Sequence, residues 1–396
     1  MAFDLSAFRS EFPSLSSGIA HFDGPGGTQT PRAVAEATAR AMMSPTSIRG
    51  TGVASERNSE AAVQAFRRAY GDLLGVPPEG IVHGRSATQI TYDFSRHLAR
   101  GWSAADEIVV SRLDHDANVR PWIQAADDAG ATVRWLEFDP ASGEITDDSL
   151  AAAITDRTRL VAVTGASNLI GTQPDVRRIA DAAHGVGALV YVDAVHLAAH
   201  EVVDREALGA DFVVCSPYKF YGPHCGVLGA DPALLDSIHP HKLLPSTDVV
   251  PERFEFGTLP YEQLAGATAA VDFIAAIAGG VDRRQALADS LAECHAHETV
   301  VRESLEAELL ALPGLTLHSR AQKRTPTLYV TVEGRDMREL SACLRTVDVL
   351  APAGDFYAVE AARTLGVTGL RIGLAAYTSP DDVDRLLTGM RDFLAR

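Results

Sequence analysis

The chain has 396 residues, 46% hydrophobic and 22% charged, which is enough apolar material for large cores and argues against extensive disorder. A formal net charge of −17 disfavours nucleic acid and anionic membranes as partners. Four cysteines without CxxC spacing indicate neither a zinc knuckle nor a disulfide scaffold, and acids in the first turns with no apolar stretch of about 18 residues lead us to expect a cytoplasmic protein with no export and no membrane span.

The length exceeds that of a single core and implies two domains. In chain order, strands are predicted at 80–83, 107–111, 132–138, 160–164, 188–193, 211–215 and 226–230, with a helix at 56–74 before them and helices at 88–99, 119–129, 176–186 and 261–278 between and after them. Such alternation belongs to a sheet wrapped by crossover helices. Continuous apolar runs such as Ile-Val-Val (108–110) and Val-Ala-Val (161–163) point to strands buried on both faces of a mainly parallel sheet. After about residue 280 the character changes to a long charged helix at 283–312, strands at 327–332 and 370–374, and a final helix at 380–394. The expected architecture is α/β: a large domain over 20–280 and a smaller α+β domain over 281–396, with residues 1–19 packing against the latter.

Two residues carry most of the chemical information. Lys219, in Asp-Phe-Val-Val-Cys-Ser-Pro-Tyr-Lys-Phe-Tyr-Gly-Pro (211–223), is delivered by an apolar strand onto a loop rich in Ser, Gly and Pro. Asp193 ends another buried-type strand in Ala-Leu-Val-Tyr-Val-Asp-Ala-Val-His (188–196), where a carboxylate needs a partner. A pyridoxal 5'-phosphate ring supplies a partner for each: its aldehyde condenses with the lysine amine and its pyridinium nitrogen pairs with the aspartate, which makes the ring an electron sink.

The phosphate would find free N–H groups and a favourable helix dipole at His-Gly-Arg-Ser-Ala-Thr-Gln-Ile-Thr (83–91), although Ser and Thr are also ordinary N-caps. Ser216 and the pair Gly257–Thr258 are further phosphate candidates. His115 follows a strand and could lay its imidazole on the ring; the alternative is a solvent-facing loop histidine. Asn168 could donate to the ring's phenolic oxygen or simply close an Asx turn, and His196 could reach the same oxygen. Arg371, in Gly-Leu-Arg-Ile-Gly-Leu (369–374), sits within an apolar strand and would hold a substrate carboxylate bidentately or pair with an Asp or Glu of its own chain.

As a set, these motifs resemble the class V aminotransferase superfamily, in its cysteine desulfurase-like branch. The similarity begins at Ala-His-Phe-Asp-Gly-Pro-Gly-Gly-Thr-Gln-Thr-Pro (20–31) and continues through Ile48–Gly50, Ser86–Thr88, His115, Ser167–Asn168, Asp193, Ser216 with Lys219, Gly257–Thr258 and Arg371 to Tyr377. The resemblance implies a fold type I pyridoxal-phosphate enzyme with a seven-stranded, mostly parallel sheet and an obligate homodimer. It implies Lys219 as the Schiff-base lysine, Asp193 as the pyridinium partner and His115 as the stacking ring. Ser86, Ala87, Thr88 and Ser216 would hold the phosphate, with Gly257 and Thr258 from the neighbouring subunit. Asn168 would meet a cofactor oxygen and the substrate, Arg371 would hold the substrate carboxylate, and Arg49 and Tyr357 would lie near the substrate.

The departures bear on the reaction. Cysteine desulfurases carry a nucleophilic cysteine on a mobile loop; here the corresponding segment is Leu-Ala-Pro-Ala-Gly-Asp-Phe-Tyr-Ala (350–358), with Tyr357 or a neighbour in its place. A phenol cannot accept sulfur as a thiolate does. His196 stands where desulfurases usually have glutamine, and Tyr218 where they have histidine. The expected activity is therefore β- or γ-elimination from a small α-amino acid, a C–S lyase, with transamination or epimerisation as the alternative. A non-catalytic dimer on the same fold would have no use for Lys219, Asp193 and Arg371 together. A nucleotide-binding Rossmann protein would need a strand-linked GxGxxG, and Gly-Pro-Gly-Gly (24–27) precedes no early βαβ unit.

Overall fold

Alternating side chains along seven strands serve two separate cores, and this alternation sets the architecture. In the computed structural model, which describes residues 3–396, the strands are β1 (Ile81–Gly84), β2 (Glu107–Ser111), β3 (Thr132–Leu136), β4 (Thr158–Thr164), β5 (Leu189–Asp193), β6 (Phe212–Cys215) and β7 (Gly226–Ala230). They form one sheet in the order β1-β7-β6-β5-β4-β2-β3. Only β7 runs against its neighbours, pairing antiparallel with both β1 and β6. Val109, Val161, Val163, Val190, Val192 and Val213 face one core, with Phe66 and Tyr70 of helix Ala54–Leu74 and Leu264 and Val271 of helix Tyr261–Ala278. Ile108, Val110, Leu160, Ala162, Tyr191 and Val214 face the other, with Phe94 of helix Ala87–Ala99 and Trp122 of helix Arg120–Ala129. Burial of each Val, Leu, Ile and Phe among them is worth about 1.5–3 kcal/mol relative to exposure, and helices cover both faces, as a parallel sheet requires.

The second, smaller sheet is antiparallel: β8 (Leu315–Leu317), β9 (Thr327–Val332), β10 (Ala353–Gly354) and β11 (Gly369–Gly373), in the order β10-β11-β9-β8. Helices Met337–Arg345 and Pro380–Leu394 pack on it through Leu340, Leu344, Leu386 and Met390. Helix Arg283–Leu310 links the two cores, with Leu287 and Leu291 in the first and Leu305 and Leu309 in the second. At 1.5 Å per residue it spans about 42 Å.

The N-terminal segment divides differently from the expected 1–19 boundary. Phe8 and Phe12 pack on Tyr221 and Phe273 of the large core, while Arg9 pairs with Asp382 of the small domain at 2.7 Å. Ala20 and Phe22 belong to the small core, where Ala20–His21 pairs in parallel with Val349–Leu350. Met1 and Ala2 of that predicted segment lie outside the described residues.

Strands β2 to β6 are parallel, and β1, antiparallel to β7, points the same way as β6. Six strands thus end on one side of the sheet, where ligands bind in open α/β sheets.

Candidate active site

A cavity of about 320 Å³ opens at those strand ends. Its lining includes Ser86, Ala87 and Thr88 after β1, His115 after β2, Asn168 after β4, Asp193 at the end of β5, His196 shortly beyond it, and Ser216 and Lys219 after β6. The small domain contributes Arg371, Phe356 and Tyr357, and the N-terminal segment contributes Asp23, Pro25 and Gly26. Most of the residues singled out in the sequence therefore meet here. Arg49 does not: its guanidinium pairs with Glu60 at 2.7 Å and Glu252 at 2.8 Å, in a network that also holds the buried Arg67. Gly257 and Thr258 also lie elsewhere, exposed on a loop lining a separate depression with His83, Arg85 and Gln89.

Asp193 is 7% exposed, with Oδ1 accepting the Val195 N–H at 2.9 Å. Burial pushes its carboxyl up to about 6, against the pull of that N–H and of Lys219. Lys219 sits on the tight turn Pro217–Lys219, and its ammonium donates to the Pro25 carbonyl. Burial, reinforced by Arg371, brings the amine down to about 8. Desolvation thus moves both groups toward neutrality, the condition in which a lysine is nucleophilic.

His115 caps the turn Asp116–Asn118, its Nδ1 accepting the Ala117 N–H at 3.0 Å. Burial lowers it to about 4, so near pH 7 the ring is neutral with its proton on Nε2. Beneath it, Asp114 is fully buried, accepting from Asn118 Nδ2 at 2.7 Å and from the Thr164 N–H at 2.9 Å, which ties the ends of β2 and β4 together.

Ser86 is the N-cap of helix Ala87–Ala99 and accepts the Gln89 N–H at 3.1 Å, leaving the N–H groups of the first turn for an anion. Gly226 allows β7 to pass against this turn: a Cβ there would lie 2.3 Å from the Ser86 carbonyl carbon and 2.5 Å from the Ala87 nitrogen.

Arg371 on β11 is 2% exposed. Nη2 pairs with Asp23 at 2.5 Å and Nη1 donates to the Asn168 carbonyl at 3.0 Å, while Nε has no partner and the Phe356 ring lies 3.7 Å from the guanidinium carbon. Sequence reasoning assigned no role to Asp23 or Phe356; an aspartate between Phe22 and a Gly-Pro-Gly-Gly turn was the available signal for the first. Phe356 and Tyr357 adopt φ of 54° and 61°, a conformation costly for residues with side chains. They are pinned there: Asn168 Nδ2 donates to the Phe356 carbonyl at 2.9 Å, and the Asp116 N–H to the Tyr357 carbonyl at 2.7 Å. The Tyr357 ring is 71% exposed and stacks on His115 at 5.3 Å, so it stands at the mouth of the cavity rather than on its floor.

Residues 20–386 match the family described as Aminotransferase class-V. The chain belongs to that family. An uncharacterized protein of Mycobacterium tuberculosis is 30% identical to this chain over 98% of its length and 99% of the relative. A cysteine desulfurase of Cronobacter sakazakii is 28% identical over 98% of each. In solved structures, the cysteine desulfurase CsdA of Escherichia coli superposes with a TM-score of 0.88 at 27% identity, covering 100% of this chain and 99% of that one. The protein is thus an enzyme of the cysteine desulfurase-like branch with a fold type I architecture, and its cofactor is pyridoxal 5'-phosphate.

The cavity fits that group. His196 Nδ1 is a buried polar atom without a protein partner, and the absence of a Cβ at Gly226 lets the turn at Ser86 keep its place with its N–H groups at the cavity. Lys219 would bind the aldehyde carbon, Asp193 the pyridinium nitrogen, and Ser86, Ala87, Thr88 and Ser216 the phosphate; His115 would cover the ring, with Asn168 and His196 toward its phenolic oxygen.

Proposed function

We propose that this enzyme is a C–S lyase that eliminates the β- or γ-sulfur substituent of a small α-amino acid. The observation that carries this reading is the chemistry of the cavity wall: among the described residues no cysteine lines it, and Phe356 and Tyr357 occupy the segment facing it. Cys215 and Cys225 lie in the large core, where burial pushes the first thiol well up and the second up to about 12. Cys294 is buried in the same core, and Cys343 packs on the small core from helix Met337–Arg345. Accepting sulfur from a substrate requires an accessible thiolate, whereas elimination requires none.

Bound pyridoxal phosphate supplies an electron sink next to the substrate Cα. Asp193, an anion beside the ring nitrogen, keeps that nitrogen protonated. Arg371 and the Asn168 side chain orient the substrate carboxylate, and Phe356 covers the guanidinium face away from water. Lys219, as the neutral amine that burial favours, takes the Cα proton and returns it to the departing sulfur. For L-cysteine the balance is cysteine plus water giving pyruvate, ammonia and sulfide, with no external oxidant or reductant.

The same reading includes a homodimer in which Gly257 and Thr258 reach the phosphate site of the neighbouring subunit. Supporting it, that loop lies outside its own cavity, and Phe256, Val249, Leu243 and Leu244 near it are 50%, 64%, 71% and 98% exposed. Light scattering on the holoenzyme giving a monomer mass would remove this element.

The reaction is tested by incubating holoenzyme and dithiothreitol with L-cysteine and with a set of β- and γ-thio-substituted amino acids, then quantifying 2-oxo acid, ammonia and alanine. Elimination gives oxo acid and ammonia in equal amounts with at least one of them. Alanine with sulfide from L-cysteine means desulfurisation, and the absence of oxo acid from every compound means another reaction; either result overturns the proposal.

A further inference from the structure

His196 has a second set of neighbours that the cofactor site alone does not explain. Its Nε2 lies 2.9 Å from Thr325 Oγ1 and 2.9 Å from Thr327 Oγ1, two hydroxyls with no solvent exposure. The hydroxyls lie 3.3 Å apart, and Thr325 Oγ1 also has the Gly171 carbonyl as an acceptor at 3.4 Å. The other ring nitrogen, Nδ1, is buried and unpartnered on a residue that lines the cavity. Behind it, His200 packs edge-on at 5.0 Å and bonds through Nδ1 to the buried Glu298 at 2.9 Å, so no partner for His196 Nδ1 comes from that side.

Full burial and the neighbouring His200, Lys219 and Arg371 hold His196 well below its ordinary value, so the imidazole is neutral. A neutral imidazole has one N–H and one lone pair, and the partner of one nitrogen decides which edge donates. A carbonyl at Nε2 would force the proton onto that nitrogen and leave a bare lone pair on the cavity side. Hydroxyls can donate. With Thr327 donating to Nε2 and Thr325 donating to the Gly171 carbonyl, both hydroxyl hydrogens are placed and Nδ1 carries the proton.

We propose that Thr327, assisted by Thr325, is a positioning residue that holds His196 as its Nδ1–H tautomer and so presents an uncharged donor to the phenolic oxygen of the cofactor. The threonines belong to the segment entering β9 of the small domain, whereas His196 follows β5 of the large one. Contact across the domain boundary therefore sets the hydrogen-bonding polarity of the cofactor pocket. This inference rests on the cofactor assignment and not on which reaction follows.

The test is a pH titration of the visible absorption band of the holoenzyme. A hydrogen bond donated to the phenolic oxygen draws off its negative charge and weakens its hold on the proton shared with the lysine-bound nitrogen, which then leaves at lower pH. Thr327→Val should raise the titration midpoint by about one pH unit, the effect of losing one hydrogen bond to a charged group. Thr327→Ser should return it to the wild-type value, and Thr325→Val should move it in the same direction by less. In a His196→Gln background, where an amide donates without any choice of tautomer, Thr327→Val should produce no shift. An unchanged midpoint in Thr327→Val, a serine variant that behaves like the valine variant, or an equal shift in the glutamine background would overturn the proposal. None of these readouts depends on whether the enzyme eliminates, transaminates or epimerises.

Discussion

Asp23 is the residue whose replacement probes the carboxylate anchor most directly. It pairs with Arg371 at 2.5 Å, its side chain is 28% exposed and that of Arg371 only 3%. An incoming carboxylate must share the guanidinium with it. Asp23→Asn keeps the shape and one hydrogen bond but removes the charge, leaving a buried cation without its counter-ion. Removing one partner of a buried ion pair costs about 3–5 kcal/mol, and the partial exposure of Asp23 discounts this to about 2 kcal/mol. A ligand carboxylate that satisfies Arg371 recovers this energy, so its affinity should rise about thirtyfold. Calorimetric titration of the holoenzyme with propionate measures the effect, with propionamide as the uncharged control. The variant should also melt at lower temperature without propionate and gain more from its addition than wild type does. Unchanged or weaker propionate binding in Asp23→Asn would refute the reasoning and remove Arg371 as the carboxylate anchor.

Three other outcomes are expected. Because the Lys219 amine is brought down to about 8, the rate of pyridoxal phosphate capture by apoenzyme should level off just above pH 8, and a rate still climbing toward pH 10.5 would contradict it; Lys219→Ala should lack the visible band altogether. Asp193 is raised to about 6 from 3.8, so its stability contribution in the apoenzyme is fully present below pH 3.8 and lost as pH rises through 6; pairing with the pyridinium relieves that loss. The gap in melting temperature between holo- and apoenzyme should therefore widen from pH 5 to pH 7 and narrow in Asp193→Asn. Gly226→Ala should displace the turn at Ser86, since its Cβ would lie 2.3 Å from that backbone, and loss of cofactor on dialysis should be faster than in wild type.

The central sheet was legible because parallel strands buried on both faces are written as continuous apolar runs, and all seven predicted strands lie within a few residues of those observed. The convergence of Ser86, His115, Asn168, Asp193, Ser216 and Lys219 on one cavity was legible for a related reason. Each ends a strand or follows one within four residues, and strands that point the same way bring their ends together without further information. Pairings across the domain boundary were not. Arg371 meets Asp23 from 348 residues away, and Thr327 meets His196 from 131 away, through contacts that leave no local period or motif. Arg49 carried the same chemical signature as a carboxylate anchor, yet packing placed it beside Glu60 and Glu252. The sequence by itself determined which strands form and which side chains stand at their ends, because those follow from backbone periodicity. The tertiary structure alone decided which buried charges neutralise one another and which hydroxyls orient His196, because such partners are selected by the docking of the small domain on the large one.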